Sequence, residues 1–278
     1  MTHQTNHTNK MNISRLAFTL VVLVFLCHYL PTSLSAQTEK LPSPDFSKIF
    51  AKYPQSAMTI YDEQADAYIR HNPQRCRVQM LPASTFKIMT GLIGLETGVI
   101  AGEDFVIPWD GTQNSVKSWN RDHVFASAFN NSVVWYFVEL VQRVGKTRTR
   151  QYMQQIGYGN ASVVGGNMFW LSGNLRISPD EQVKFLKRLA NKQLPFAPKN
   201  MALMERLMIL EETPKFTWRG KTGWTQISGN IGWLVGWLER NNNRYFYALR
   251  ICSDSPKGFS KARTELTRRV FREMNLLP

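Results

Sequence analysis

Cysteine and histidine are scarce in this chain, with three and five among 278 residues. Beyond residue 36 neither a Cys-x-x-Cys nor a His-x-x-x-His spacing occurs. The ligand patterns of zinc sites are therefore missing, and no metal is expected. Internal repeats, low-complexity tracts and long Pro/Gly/Ser linkers are also lacking. That excludes a solenoid or a string of tethered modules, and leaves one large domain or two intimately packed ones. Acids are few: 20 against 34 Lys and Arg, a net charge of +14. The basic residues are nonetheless dispersed, as Arg143, Lys146, Arg148, Arg150, Lys187, Arg188, Arg268, Arg269 and Arg272. They fall mainly in segments that read as helical, so solvated helix faces explain them better than nucleic-acid binding does.

Long apolar runs are absent except near the start. Lys10 and Arg15 precede a mainly apolar run from Leu16 to Leu26, followed by Ser33, Ser35 and Ala36 before Gln37. This has the pattern of a secretory signal peptide over 1–36, with Met11 a more typical start. The run is short for a membrane span, so no stable membrane association is expected after cleavage. Leu26 rather than a small residue precedes Cys27, which argues against lipidation there. Residues 37–278 would form the folded domain. They carry +12, because 1–36 contribute two basic residues and no acid. Cys76 and Cys252 could pair in an oxidising compartment or stay as buried thiols.

Ser56–Ile60 and Ala67–Arg70 read as a hairpin around Asp62-Glu63-Gln64. Residues 126–155 read as two helices divided near Gly145. Ser178-Pro179-Asp180-Glu181 is a capping-box start to a helix running to about Ala190. Ile231–Glu239 and Arg244–Cys252 read as strands joined at Asn241-Asn242-Asn243, and Ser260–Leu277 returns to helical periodicity. The order predicts an α+β fold, with an antiparallel sheet built from N- and C-terminal strands, flanking helices and a mainly helical second lobe.

The chemistry-bearing residues begin with Ser84 and Lys87, in Pro82-Ala83-Ser84-Thr85-Phe86-Lys87. Helical structure puts positions i and i+3 on one face, the geometry of a nucleophile beside its base. The spacing alone also fits a cap followed by a solvated lysine. Ser132-Val133-Val134 offers a hydroxyl near a helix start, either a proton relay or a cap. Lys221-Thr222-Gly223 offers a cation, a hydroxyl and close backbone approach, either an anion cradle on a strand edge or a basic turn. Phe169-Trp170-Leu171 reads as core or as the wall of a site.

Joint occurrence in this order is more specific. With Trp119-Asn120-Arg121-Asp122-His123, Tyr158-Gly159-Asn160, Leu175-Arg176-Ile177-Ser178 and Gly232-Trp233-x-x-Gly236-Trp237, these segments span nearly all of 37–278. The chain resembles the class D, oxacillinase-type, serine β-lactamases. Met89, where the family often has proline, and the bulky Trp224 are modest departures.

The resemblance implies hydrolysis of the β-lactam ring of penicillin-type antibiotics through an acyl-enzyme on Ser84. It implies that Lys87, N-carboxylated by carbon dioxide or bicarbonate, is the base for acylation and deacylation, with no bound cofactor. Trp170 would hydrogen-bond the carbamate, and Phe86, Val134 and Leu171 would wall its pocket. Ser132 and Lys221 would carry a proton to the leaving nitrogen, and the backbone N–H groups of Ser84 and Trp224 would form the oxyanion hole. Thr222, Gly223 and Arg263 would bind substrate, with Arg250 and Lys261 as other matches for the carboxylate-binding cation. A monomeric or homodimeric periplasmic enzyme is expected, its substrate range set by the loops 109–121 and 224–230. The alternatives are a covalent β-lactam sensor domain and a penicillin-binding D,D-peptidase.

Overall fold

The computed structural model describes residues 44–278 apart from 228. The signal-like segment lies outside the described residues. Both expected hairpins are present: β1 (Ala57–Asp62) with β2 (Ala67–His71), and β7 (Asn230–Arg240) with β8 (Asn243–Ser253). The second closes through Asn241 and Asn242, whose φ values of 53° and 59° are what a two-residue hairpin with a right-handed strand twist requires. Asparagine tolerates that region better than other non-glycine residues.

β1 pairs with β8, which brings the two ends of the chain into one antiparallel sheet. β5 (Ile209–Thr213) and β6 (Phe216–Thr225) complete it, in the order β2-β1-β8-β7-β6-β5. The central strands are buried on both faces, which is why β7 reads as a nearly continuous apolar run. On one face Met58, Ile60, Leu234, Leu238 and Leu249 pack beneath α1 (Ser47–Phe50) and α8 (Phe259–Glu273). On the other, Trp233, Val235, Trp237 and Phe246 pack against the helical lobe. Each large apolar side chain buried there contributes about 1.5–3 kcal/mol by transfer from water.

The lobe contains α2 (Lys87–Glu96), α3 (Phe125–Asn130), α4 (Val134–Val144), α5 (Lys146–Ile156), α6 (Pro179–Ala190) and α7 (Pro198–Leu207). A two-stranded bridge, β3 (Val106–Ile107) with β4 (His123–Val124), precedes α3. At the start of α6 the Glu181 amide donates to Ser178 Oγ at 3.3 Å and the Ser178 amide donates to Glu181 Oε2 at 2.7 Å. The capping box is thus reciprocal. Gly145 divides α4 from α5 as expected, but a second break at 131–133 splits the run further, because Ser132 adopts φ 56°. Cys76 and Cys252 are unpaired, and Cys76 Sγ faces the carbonyls of Met58 and His71.

Candidate active site

Ser84 sits in a 3-10 turn, Ala83–Phe86, that runs directly into α2 at Lys87. At three residues per turn, side chains i and i+3 eclipse, so this turn aligns Ser84 and Lys87 more closely than an α-helix would. Lys87 Nζ lies 3.0 Å from Ser84 Oγ. Ala83, immediately before the serine, is held at φ 49°, a left-handed conformation costing about 1–2 kcal/mol for an alanine. The Ala83 amide donates to the Trp170 carbonyl at 3.0 Å, one contact that keeps it there.

The break at 131–133 delivers Ser132 to the same point. Lys87 Nζ donates to the Ser132 carbonyl at 2.6 Å and lies 3.1 Å from Ser132 Oγ. Lys221 Nζ, from β6, reaches Ser132 Oγ at 3.1 Å from the other side. Ser84, Lys87, Ser132 and Lys221 thus form one hydrogen-bonded chain.

Lys87 is wholly buried, with the Phe137 ring centroid 5.2 Å from Nζ. Burial, aided by the charge of Lys221, holds its amine well below the ordinary lysine range. Burial and then the nearby Arg263 bring Lys221 down to about 7. Lys221 is therefore poised to titrate near neutral pH, and the same burial pushes Lys87 towards its neutral form.

β6 changes character along its length. Its pairing with β5 covers Phe216–Arg219 only, so from Lys221 onward it is a free sheet edge, and this edge faces the Ser84 turn. Gly223 lets the two backbones meet. A Cβ there would lie 2.9 Å from the Pro82 carbonyl oxygen and 3.3 Å from the Ser84 nitrogen. The result is a cleft of about 540 Å³ lined by Ser84, Asn114, Val116, Trp119, Ser132, Val134, Leu171, Thr222, Gly223, Trp224, Ser260 and Arg263.

The penicillin binding protein transpeptidase domain family matches residues 55–274. Beta-lactamase OXA-20 of Pseudomonas aeruginosa is 34% identical over 268 residues, 95% of this chain and 97% of its own. Regulatory protein BlaR1 of Bacillus licheniformis is 33% identical over 90% of this chain, but that match spans 43% of BlaR1. The crystal structure of the class D beta-lactamase YbXI from Nostoc superposes with a TM-score of 0.80 at 39% identity, covering 84% of this chain and 99% of that one. The chain belongs to the class D β-lactamases.

Among the candidate carboxylate-binding cations of this class D chain, Arg263 alone lines the cleft. Its Nη1 donates to the Gly223 carbonyl at 2.6 Å and its Nη2 to Ser260 Oγ at 3.0 Å. Burial lowers it to about 10, so it stays charged at neutral pH. Arg250 is instead fully buried beneath the Arg75–Val78 turn, donating to the Val78 carbonyl at 2.6 Å and the Arg75 carbonyl at 3.2 Å. Lys261 is exposed.

Phe86 is core, packed on Trp170 with ring centroids 5.7 Å apart. Val134 and Leu171 are half-buried and line the cleft, whereas the ring beside Lys87 Nζ is Phe137, which the sequence reading passed over. Phe137 belongs to the buried stripe Tyr136-Phe137-Leu140-Val141-Val144, so periodicity marks it as core but not as site. Phe129, 5.4 Å from Lys221 Nζ, is hidden for the same reason.

Proposed function

We propose that the chain hydrolyses the β-lactam ring of penicillin-type antibiotics through an acyl-enzyme on Ser84. The observation that carries this is a wholly buried lysine amine 3.0 Å from the serine hydroxyl, which burial pushes towards its neutral form. Such an amine accepts a proton, which a solvated ammonium cannot. Ser84 Oγ attacks the lactam carbonyl, and the backbone N–H groups of Ser84 and Trp224 hold the oxyanion. The C–N bond breaks as Ser132 passes a proton from Lys221 to the ring nitrogen. Water then cleaves the ester, releasing the ring-opened acid and restoring the hydroxyl of Ser84. Arg263 and Thr222 bind the substrate carboxylate, with Gly223 allowing close approach.

N-carboxylation of Lys87 by carbon dioxide supplies a carbamate base for both halves of the reaction. The residues present fit that group. Carboxylation requires a neutral amine, which burial provides, and the Trp170 indole N–H is buried without a hydrogen-bond partner, leaving a donor to give. The signal-like segment supports export, and we place the reaction in the periplasm.

Similarity to a regulatory protein supports a second reading, a sensor that is acylated once and held. Mixing the protein with a chromogenic cephalosporin, with and without bicarbonate, separates the two. Sustained turnover that rises with bicarbonate is expected. A stoichiometric burst that stops would refute hydrolysis in favour of the sensor, and Ser84→Ala abolishes either outcome.

A further inference from the structure

We propose that Asn230 is a positioning residue that locks the Trp224 indole in place as a wall of the substrate cleft, and so sets affinity for penicillins with bulky side chains. The inference rests on the hydrolytic reading above. Trp224 is half-buried and lines the cleft, backed by Phe259 at a ring-centroid distance of 5.8 Å. Its indole N–H donates to Asn230 Oδ1 at 3.2 Å, and Gln226 Nε2 reaches the same oxygen at 3.4 Å.

Asn230 is buried, and its own orientation is fixed from behind. Its Nδ2 donates to the Ser253 carbonyl at 3.0 Å, where β7 pairs with β8. A carbonyl only accepts, so the amide nitrogen must face Ser253 and the oxygen must face the indole. The side chain is therefore a rigid strut from the sheet to the cleft wall. Asn230 does not itself line the cleft and touches it through Trp224. Its influence belongs to binding rather than to bond breaking.

Loss of one such hydrogen bond to a half-buried group corresponds to about a five-fold change in an equilibrium. The test compares wild type, Asn230→Ala, Asn230→Asp, Trp224→Phe and the Trp224→Phe/Asn230→Ala double variant. Substrates are oxacillin, with its aryl-isoxazole side chain, and 6-aminopenicillanic acid, which has none. Asn230→Ala is expected to raise KM for oxacillin about five-fold, with kcat and both constants for 6-aminopenicillanic acid within about two-fold. Asn230→Asp keeps both contacts as the protonated acid, its O–H donating to the Ser253 carbonyl and its C=O accepting from the indole. Measured beside wild type at a pH that protonates it, it is expected to keep the wild-type KM. In the Trp224→Phe background, Asn230→Ala is expected to add nothing.

An Asp variant that behaves like the Ala variant, or an Ala effect that persists without the indole, would overturn the proposal in favour of the Ser253 strut alone. Hydrogen exchange at the Trp224 indole, followed by ¹⁵N NMR and assigned with Trp224→Phe, reads the clamp without turnover. It is expected to be slow in wild type and Asn230→Asp and fast in Asn230→Ala. Equal exchange in wild type and Asn230→Ala overturns the clamp, whereas failure to hydrolyse any β-lactam with the exchange difference intact overturns only the hydrolytic reading.

Discussion

Replacing Lys87 with methionine tests the central electrostatic claim through stability rather than activity. In the unfolded chain the lysine binds a proton up to a pKa of about 10.4. In the folded protein burial keeps it neutral well below that value. Unfolding between the folded pKa and about 10.4 therefore takes up a proton. The sign follows: the unfolded state binds more protons, so lysine's penalty is greatest below the folded pKa and shrinks as pH rises towards about 10.4. The slope is about 1.4 kcal/mol per pH unit per group. Methionine has similar volume and binds no proton in either state. It also loses the 2.6 Å bond to the Ser132 carbonyl, a cost of about 1–3 kcal/mol that is independent of pH. The offset between the proteins thus mixes two effects, but its pH dependence isolates one. Denaturant unfolding at pH 8, 9 and 10 in degassed, bicarbonate-free buffer should show the variant's relative stability falling by about 1.4 kcal/mol per unit. Lys221 is common to both proteins and largely cancels. A difference that stays constant over that range would mean that Lys87 is charged in the folded protein, and the proposed base would fail with it.

Gly223→Ala should lower kcat at least about ten-fold and cost about 1–3 kcal/mol, because the new Cβ meets the backbone of Pro82 and Ser84 as well as the Thr85 methyl, and the backbone cannot yield. Steady-state kinetics and denaturant unfolding check both, and wild-type values would refute the close approach. Arg263→Gln should raise KM at least about ten-fold by removing a charged partner for the substrate carboxylate. Arg250→Gln should instead leave KM near wild type and lower stability by about 1.5–3 kcal/mol, since the Val78 and Arg75 carbonyls lose their donor. Ser178→Ala removes the reciprocal cap of α6 and should cost about 1 kcal/mol in denaturant unfolding without altering kcat.

Local chemistry was legible where it is self-contained. The Asn241-Asn242 turn, the Ser178 box and the Gly145 break each depend on a few adjacent residues, and each lies where the sequence placed it. The second break, at 131–133, was legible only as a helix start near Ser132, because its positive φ comes with bonds from the Val133 amide to the Ala128 carbonyl and from Lys87 to the Ser132 carbonyl. β6 was read as a basic tripeptide on a strand edge. Its true extent is blurred because the buried Lys221 and the glycines at 220 and 223 interrupt an otherwise alternating Phe216, Trp218 pattern. α7 and β5 went unread, since their burial comes from partners distant in sequence. Arg250 and Arg263 are a further instance: two buried arginines of equal appearance in the sequence, separated only by which carbonyls each one meets.

Two buried lysines stand behind the cleft that Arg263 lines, with no acidic side chain among its described lining residues. Such a site is unstable electrostatically if all three are charged, and the strain resolves in the order of their proton affinities. Arg263 keeps its charge, Lys221 comes down to about 7, and burial beside Lys221 drives Lys87 well below the ordinary lysine range. Each depression has a use in the proposed reaction. An amine must be neutral before it takes up carbon dioxide, a proton donor must titrate near working pH, and an anion receptor must stay charged throughout. Acids placed among the three would relieve the repulsion, but they would also raise both lysine pKa values and compete for the substrate carboxylate. The rings of Phe137 and Phe129 under the two amines exclude water without adding a formal charge, and the loss of hydration outweighs the weak attraction of each ring face for an ammonium. The hydrophobic wall is thus what divides three cations into a base, an acid and a receptor.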